Sequence, residues 1–416
     1  MKMVRCSPAL SGERGFRLLL CGQAASVLGD FFGVAAQSVL VYRLTGSKVA
    51  MGTMWLCHLL PMVLFRLVSG PLLDRADRRR LLLAAELTRA FVFGAPALLY
   101  ALRLLQIWHL FAFSFVTGVA DAVFWPVLMA VVPELVPEPR LARANALLEG
   151  SRNVMSLLGP AAGAAFIQAF GPGPALVLDS LSFVASALSV YLVRTPGRPP
   201  AALEDARPFL TRLGEGYGFF RVHPELLWLA GALALANAGE AAATAQLLPY
   251  STEQLGAGVT GMGLLQSAIA SGAVLGTLAA GALGEITWRS LSLAGALVIM
   301  GLATAGLGLA HRLGGALPCA VLFGASGSFF NIVYVTLYQR LVPAHLRGRV
   351  FALRMVFSTS VMPLGAFLGG VAAEAWGLPS LYLATGLIPA LAAFLTYFHP
   401  TMRRIDGELA GLDCQA

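Results

Sequence analysis

Apolar residues run along this chain in twelve long blocks separated by short polar turns, near 16–42, 49–69, 81–102, 106–132, 144–168, 174–193, 226–250, 259–283, 291–311, 316–340, 351–373 and 379–398. Each block is roughly 20 residues or longer, the length at which a helix crosses a bilayer core. The pattern predicts an all-α membrane protein with twelve transmembrane helices. A single long polar stretch, 194–225, interrupts the series, and a short amphipathic helix is predicted near Pro208–Phe220 within it. The expected organisation is an N-terminal six-helix bundle over 1–193, a cytoplasmic linker over 194–225, and a C-terminal six-helix bundle with a short cytoplasmic tail over 226–416.

The two halves repeat. Leu135-Val136-Pro137 matches Leu341-Val342-Pro343 at a shift of 206 residues. The same shift pairs Arg143 with Arg349, Gly159 with Gly365, Gly163 with Gly369 and Gly171 with Gly377. Three glycines in register after a shared tripeptide point to duplicated bundles, an arrangement that places a transport site between halves.

Composition agrees with the pattern. The chain is 57% hydrophobic and only 12% charged, where a soluble domain carries about 25% charge. Its net charge of +8 follows from the positive-inside rule and needs no nucleic-acid partner. With the N-terminus inside, 24 basic residues fall on the inner side and 4 on the outer, with Arg89 left within a helix. That bias predicts both termini in the cytoplasm of a cell-membrane protein. The lysines, Lys2 and Lys48, do not follow glycine, so no phosphate loop is expected. The five cysteines show neither a disulfide framework nor metal-ligand spacing. No soluble stretch is large enough to hold an enzyme, and no cofactor is expected.

The densest charge lies at Ser69–Leu83, in Gly70-Pro71-Leu-Leu-Asp74-Arg75-Ala-Asp77-Arg78-Arg79-Arg80. Such a block must leave the hydrocarbon. It predicts a break at Gly70-Pro71, a tight turn, and a cap for the next helix from Asp74 or Asp77. The stretch resembles the signature between helices 2 and 3 of the major facilitator superfamily. That resemblance assigns Gly70, Asp74, Arg75, Arg78 and Arg79 to a motif that governs switching between states. Gly29-Asp30-Phe-Phe, Tyr42-Arg-Leu-Thr-Gly-Ser47, Ala142-Arg-Ala-Asn145 and Gly150-Ser-Arg-Asn153 resemble the exporters grouped with the enterobactin and macrolide efflux proteins. Gly159-Pro160-Ala-Ala-Gly163 resembles the antiporter motif of helix 5, although helix 4 lacks the accompanying Arg-x-x-x-Gly near Thr117-Gly118.

Polar residues inside the blocks are the candidates for chemistry. Asp30 lies midway along the first block, with Gln23 and Gln37 seven residues to either side on one face. Asp121 and Glu240 are similarly deep. A carboxylate at that depth is costly unless protonated, paired or wetted, so Asp30, Asp121 and Glu240 are the proton-coupling candidates. Interhelical hydrogen bonding is the alternative for each. Glu86 with Arg89 and Glu149 with Arg152 are spaced to pair within their own helices. Trp125, Asn237, Asn331, Tyr334 and Tyr338, with Gln23 and Gln37, are the cavity candidates; mixed aromatic and polar lining suits an amphipathic organic substrate.

These features predict a secondary transporter that exports a hydrophobic or amphipathic small molecule by alternating access, coupled to protons, and acting as a monomer among membrane lipids. An uptake carrier or lipid flippase on the same fold, or a non-transporting receptor, are the alternatives.

Overall fold

The computed structural model describes residues 13–75, 77–193, 218–284, 288–343 and 346–398. Among the described residues every regular element is helical. The elements are α1 Glu13–Thr45, α2 Lys48–Arg75, α3 Arg78–Ala101, α4 Ile107–Leu135, a 3₁₀ turn Glu138–Arg140, α5 Leu141–Phe170 and α6 Pro172–Leu192. They continue with α7 Pro224–Ala245, a short turn Leu247–Pro249, a π-helical turn Tyr250–Gln254, α8 Gly258–Ala282, α9 Arg289–Leu309, α10 Leu313–Leu341, α11 Arg347–Thr359, α12 Met362–Trp376 and α13 Leu378–Phe398.

Among the described residues, eleven stretches are long and apolar enough to cross a membrane, one of them formed by α11 and α12 together over Arg347–Trp376. The described apolar stretch of α13, Leu378–Phe394, is shorter. The twelve hydrophobic blocks therefore become twelve helical segments. One predicted boundary is wrong: α2 does not break at Gly70-Pro71 but runs to Arg75. Proline removes one amide donor and crowds the carbonyl four residues back, yet the helix continues past it and the extra turn carries the chain to the charged residues. Asp77 then caps α3, its carboxylate accepting from the Arg80 amide at 3.2 Å. Of the predicted amphipathic helix near Pro208–Phe220, only residues 218–220 are described, and these are helical.

The described residues divide into two compact units. The first holds α1 to Leu40 and α2 from Leu60, with α3 to α6; the second holds Val41–Leu59 together with α7 to α13. The first unit is centred on Leu19, Leu82, Phe124, Val127, Val132 and Leu148, all buried. The second is centred on Leu226, Leu229, Leu297, Phe330, Tyr334 and Tyr338.

Without a hydrophobic drive between helices in lipid, close packing at small residues holds such units together. In the first unit, Gly22, Gly29 and Gly33 of α1 lie against Ser189, Ser182 and Asp179 of α6. In the second, Gly272 and Gly276 of α8 face the backbone of α10, and Gly301 of α9 meets Gly386 of α13. The α1–α2 corner is fastened within the second unit by polar bonds. Lys48 pairs with Glu253 at 2.9 Å, its amide donates to Glu374 at 2.8 Å, and Gln246 donates to the Lys48 carbonyl at 3.1 Å.

The sequence repeat is also a repeat of geometry. Shifted by 206 residues, the ends of α4, α5 and α6 fall on the ends of α10, of α11–α12 and of α13. Gly171 and Gly377 cap α5 and α12 with φ of 86° and 84°, a left-handed conformation in which a Cβ is strained. Gly159 and Gly163 pack onto Phe31 and Phe32 of α1, while Gly365 and Gly369 pack onto Ala238 and Ala242 of α7.

Candidate functional site: a buried charge cluster in the first unit

The chemistry of the first unit collects where α1, α3, α4 and α6 pack. The Gln23 amide on α1 donates to Glu86 on α3 at 3.1 Å and to the Ser186 hydroxyl on α6 at 3.0 Å. Ser186 in turn donates to the same Glu86 oxygen at 2.6 Å. Glu86 is fully buried, and its other oxygen has no hydrogen-bond partner. Gln23 is thus an interhelical bridge that is 4% exposed, not a cavity-lining group. Gln37 is also buried, with its amide nitrogen unpartnered.

One turn along α3, Arg89 does not pair with Glu86 as its spacing suggests. Its guanidinium forms an ion pair with Asp121 of α4, which is therefore paired across helices. The guanidinium lies over the Phe124 ring at 4.1 Å and is 3% exposed. An ion pair at this depth survives because charge, hydrogen bond and ring quadrupole act on one group.

Asp30 is half-buried and lies within electrostatic reach of Arg89, Asp121, Glu86 and Arg152. Arg152 on α5 pairs with Glu149 at 3.1 Å, as its spacing predicts, and stacks on Trp125 at 4.2 Å.

A fourth acid completes the cluster. Asp179 of α6 is fully buried beside Asp30, accepts weakly from Ser182 at 3.4 Å, and has one oxygen without a partner. Its carboxylate occupies the space that side chains at Gly29 and Gly33 would fill. Sequence reasoning passed over Asp179, although an acid within a predicted span was signal enough. Asp30, Glu86, Asp121 and Asp179 thus surround Arg89. An acid-rich set of this kind can hold and exchange protons while keeping net charge out of the low-dielectric interior.

The arginines of the charged turn act as clamps. Arg78 reaches Glu134 at 2.7 Å and the Ala130 carbonyl at 3.2 Å near the end of α4. Arg79 donates to the Val190 and Tyr191 carbonyls at the end of α6 and lies over the Tyr191 ring. Cations are favoured at helix C-termini, where carbonyls are unsatisfied. Glu134 is a partner the sequence did not single out. Gly70, Asp74 and Arg75 end α2, and their side chains lie outside the described residues. Gly159, Pro160 and Gly163 are buried in α5, where the glycines admit α1.

The candidates of the second unit do not form a comparable cluster. Glu240 is exposed on α7, and Asn237 donates to the Ser358 carbonyl at 2.8 Å. Asn331 is exposed on α10. Tyr334 and Tyr338 are completely buried rather than lining open space. Tyr334 stacks on Phe330, and Tyr338 donates to the Leu226 carbonyl. Their four-residue spacing after Phe330 puts all three on one face of α10, which turns into the core, a placement that residue type alone does not reveal.

Comparison with known proteins agrees with this architecture. The family described as "Transmembrane secretion effector" matches residues 9–411. Macrolide efflux protein A of Streptococcus pyogenes is 24% identical over 94% of this chain and 97% of its own length. The multidrug efflux pump Tap of Mycolicibacterium fortuitum is 25% identical over 95% and 98%. Among solved structures, a bacterial homologue of the iron transporter ferroportin in an inward-facing state aligns with a TM-score of 0.73 at 17% identity, over 93% of this chain and 99% of that one. A bacterial homologue of the human lysosomal transporter Spinster aligns with a TM-score of 0.72 at 15% identity, over 94% and 96%. Family, fold and the spacing of the charged turn converge: the chain belongs to the transmembrane secretion effector family of major facilitator superfamily transporters.

Proposed function

We propose that this transporter exports hydrophobic or amphipathic small molecules from the cytoplasm, works as a monomer with both termini cytoplasmic, and is driven by protons. The efflux proteins among its relatives support the direction and the substrate class. One observation carries the proton coupling: four carboxylates gather around the buried Arg89, and of these Asp30 is half-buried without an ion-pair partner among the described residues.

In this reading Asp30 is the group that loads and unloads. A coupling carboxylate must be protonated when open to one side and ionised when open to the other. Arg89, held in place by Asp121, keeps a fixed counter-charge beside it. Asp30 also neighbours Phe31 and Phe32, against which Gly159 and Gly163 pack, so a change in its charge is passed to the α1–α5 contact. The charged α2–α3 turn sets the rate of switching.

The test is transport in proteoliposomes containing a pH-sensitive dye, across a panel of compounds that includes a macrolide. Substrate-dependent proton flux opposite to substrate movement is expected. Substrate accumulation that is unaffected when the pH gradient is collapsed would overturn the coupling. Accumulation in the cytoplasmic direction would overturn export.

A further inference from the structure

Buried hydrogen-bond donors without a partner gather at one place in the second unit: Nε and Nη1 of Arg354 and the hydroxyl of Tyr334. Arg354 stands inside α11, and its guanidinium lies over three rings, Tyr334 and Phe351 at 5.1 Å and Tyr338 at 5.6 Å. Phe330 stacks on Tyr334 at 5.6 Å, and Phe220 approaches Tyr338 at 6.5 Å. We propose that this aromatic box binds the carboxylate of an amphipathic organic anion. Such a site gives a charge to the substrate class proposed above and rests on that reading.

Charge is the first argument. Among the described residues Arg354 forms no ion pair, with Glu240 of α7 or with any other acid. Neither α10 nor α11 carries an acid at all. Glu253 and Glu374 are engaged at the α1–α2 corner. Ring faces offset part of the cost of holding a guanidinium away from water, but they leave its in-plane N–H groups without an acceptor. The first unit shows the completed form of the same arrangement. There Arg89 also lies over a ring, and the Asp121 carboxylate takes its N–H groups. At Arg354 the rings are present and the carboxylate is missing.

Shape is the second argument. A guanidinium held between rings presents its edge, and that edge matches the two oxygens of a carboxylate. Arg354 is partly exposed, so an anion reaches it from one side. Turning on its long stem, the guanidinium brings its buried nitrogens round to that anion. Tyr334 supplies a neutral donor beside it, while the Tyr338 hydroxyl is already committed to the Leu226 carbonyl and contributes its ring. Aromatic walls around a single charged group suit a ligand with an apolar body and one polar end. The frame is held nearby, where Asn237 of α7 donates to the Ser358 carbonyl of α11 at 2.8 Å.

The experiment is a calorimetric titration of the purified full chain in detergent with naphthoate, with neutral naphthol and with phosphatidylglycerol. Naphthoate should bind saturably and more tightly than naphthol. Arg354→Gln should weaken naphthoate by about tenfold or more, the scale of a hydrogen bond to a charged group, and leave naphthol unchanged. Arg354→Lys keeps the charge without the fork and should fall between wild type and Arg354→Gln. Tyr334→Phe should cost about threefold, the scale of a neutral hydrogen bond. Arg312→Gln, at the other end of α10, should change nothing. If Arg354→Gln does not fold, Arg354→Lys and Tyr334→Phe decide the case. Equal affinity for naphthoate and naphthol, or naphthoate binding untouched by the Arg354 and Tyr334 variants, would overturn the proposal. Binding of phosphatidylglycerol in place of naphthoate would make the box a headgroup site and overturn the organic-anion assignment. Because binding is read without transport, it can fail while export stands, and export can fail in proteoliposomes while binding stands.

Discussion

The two halves of the chain share a frame and differ in what they bury. Helices α4, α5 and α6 recur as α10, α11–α12 and α13 at one constant shift, with matching helix ends. At that shift Asp121 corresponds to Gly327 and Asp179 to Thr385. Thr385 satisfies its hydroxyl locally, on the Leu381 carbonyl at 2.9 Å. The first half thus holds an acidic cluster around Arg89, whereas the second fills its interior with Phe330, Tyr334 and Tyr338. Its arginine there, Arg354, lies over Tyr334 and Phe351 at 5.1 Å, with two nitrogens unpartnered. Duplication supplied the scaffold twice; titratable charge was concentrated in one copy, leaving the other free to pack.

The largest effect expected from this contrast is on coupling. Asp30→Asn should abolish uphill transport in proteoliposomes while downhill exchange of substrate continues, because the amide keeps the size of the carboxyl group and imitates its protonated, neutral form. Glu240→Gln in the second half should cost far less. Wild-type accumulation by a folded Asp30→Asn protein would remove the first half from its special role and make Asp121 the leading candidate.

Stability should show the same asymmetry. Arg89→Gln strands Asp121, and breaking one side of a buried pair costs about 3–5 kcal/mol. Arg354→Gln gives up ring contacts worth about 1 kcal/mol. Unfolding of both variants in the same detergent checks this, and equal losses would break the comparison.

Packing should differ in the opposite sense. A Cβ at Gly365 would meet the backbone of Ala238, with its Cα 2.7 Å away. At Gly159 it would meet the Phe31 side chain, with Cγ at 2.9 Å, and a ring can turn where a backbone cannot. Gly365→Ala should therefore cost about 2–3 kcal/mol and Gly159→Ala about 1 kcal/mol. The smallest effect should be symmetric. Gly171→Ala and Gly377→Ala each strain a left-handed cap by about 1 kcal/mol, and midpoints that move together would sharpen the claim that the frame repeats.

Much of the frame was legible in the residues. Length and apolarity located the helices, and the shared Leu-Val-Pro and glycines exposed the repeat. The pairing of charges was less legible. Spacing along α3 suggested Glu86 with Arg89, but the third dimension gives Arg89 to Asp121 and Glu86 to Gln23 and Ser186. Sequence periodicity reports which residues share a helix face, not which helix that face meets. Tyr334 and Tyr338 illustrate the same gap, since an aromatic with a polar tip serves a cavity or a core equally well until its neighbours are known.

The fastening of the α1–α2 corner has a consequence for how the protein is made. Tyr42 bonds Glu253 across 211 positions of sequence, and Lys48 bonds Glu374 across 326. A ribosome releases this corner long before its partners exist. The second unit cannot be completed from its own stretch of chain: it must recover a segment synthesised near the beginning, whose charged side chain waits for Glu253 beyond α7 and whose backbone amide waits for Glu374 on α12. Contacts so far apart in sequence form slowly. Completion of the second unit therefore comes last, and a chain halted before Glu253 leaves the Lys48 ammonium as an unclaimed cation.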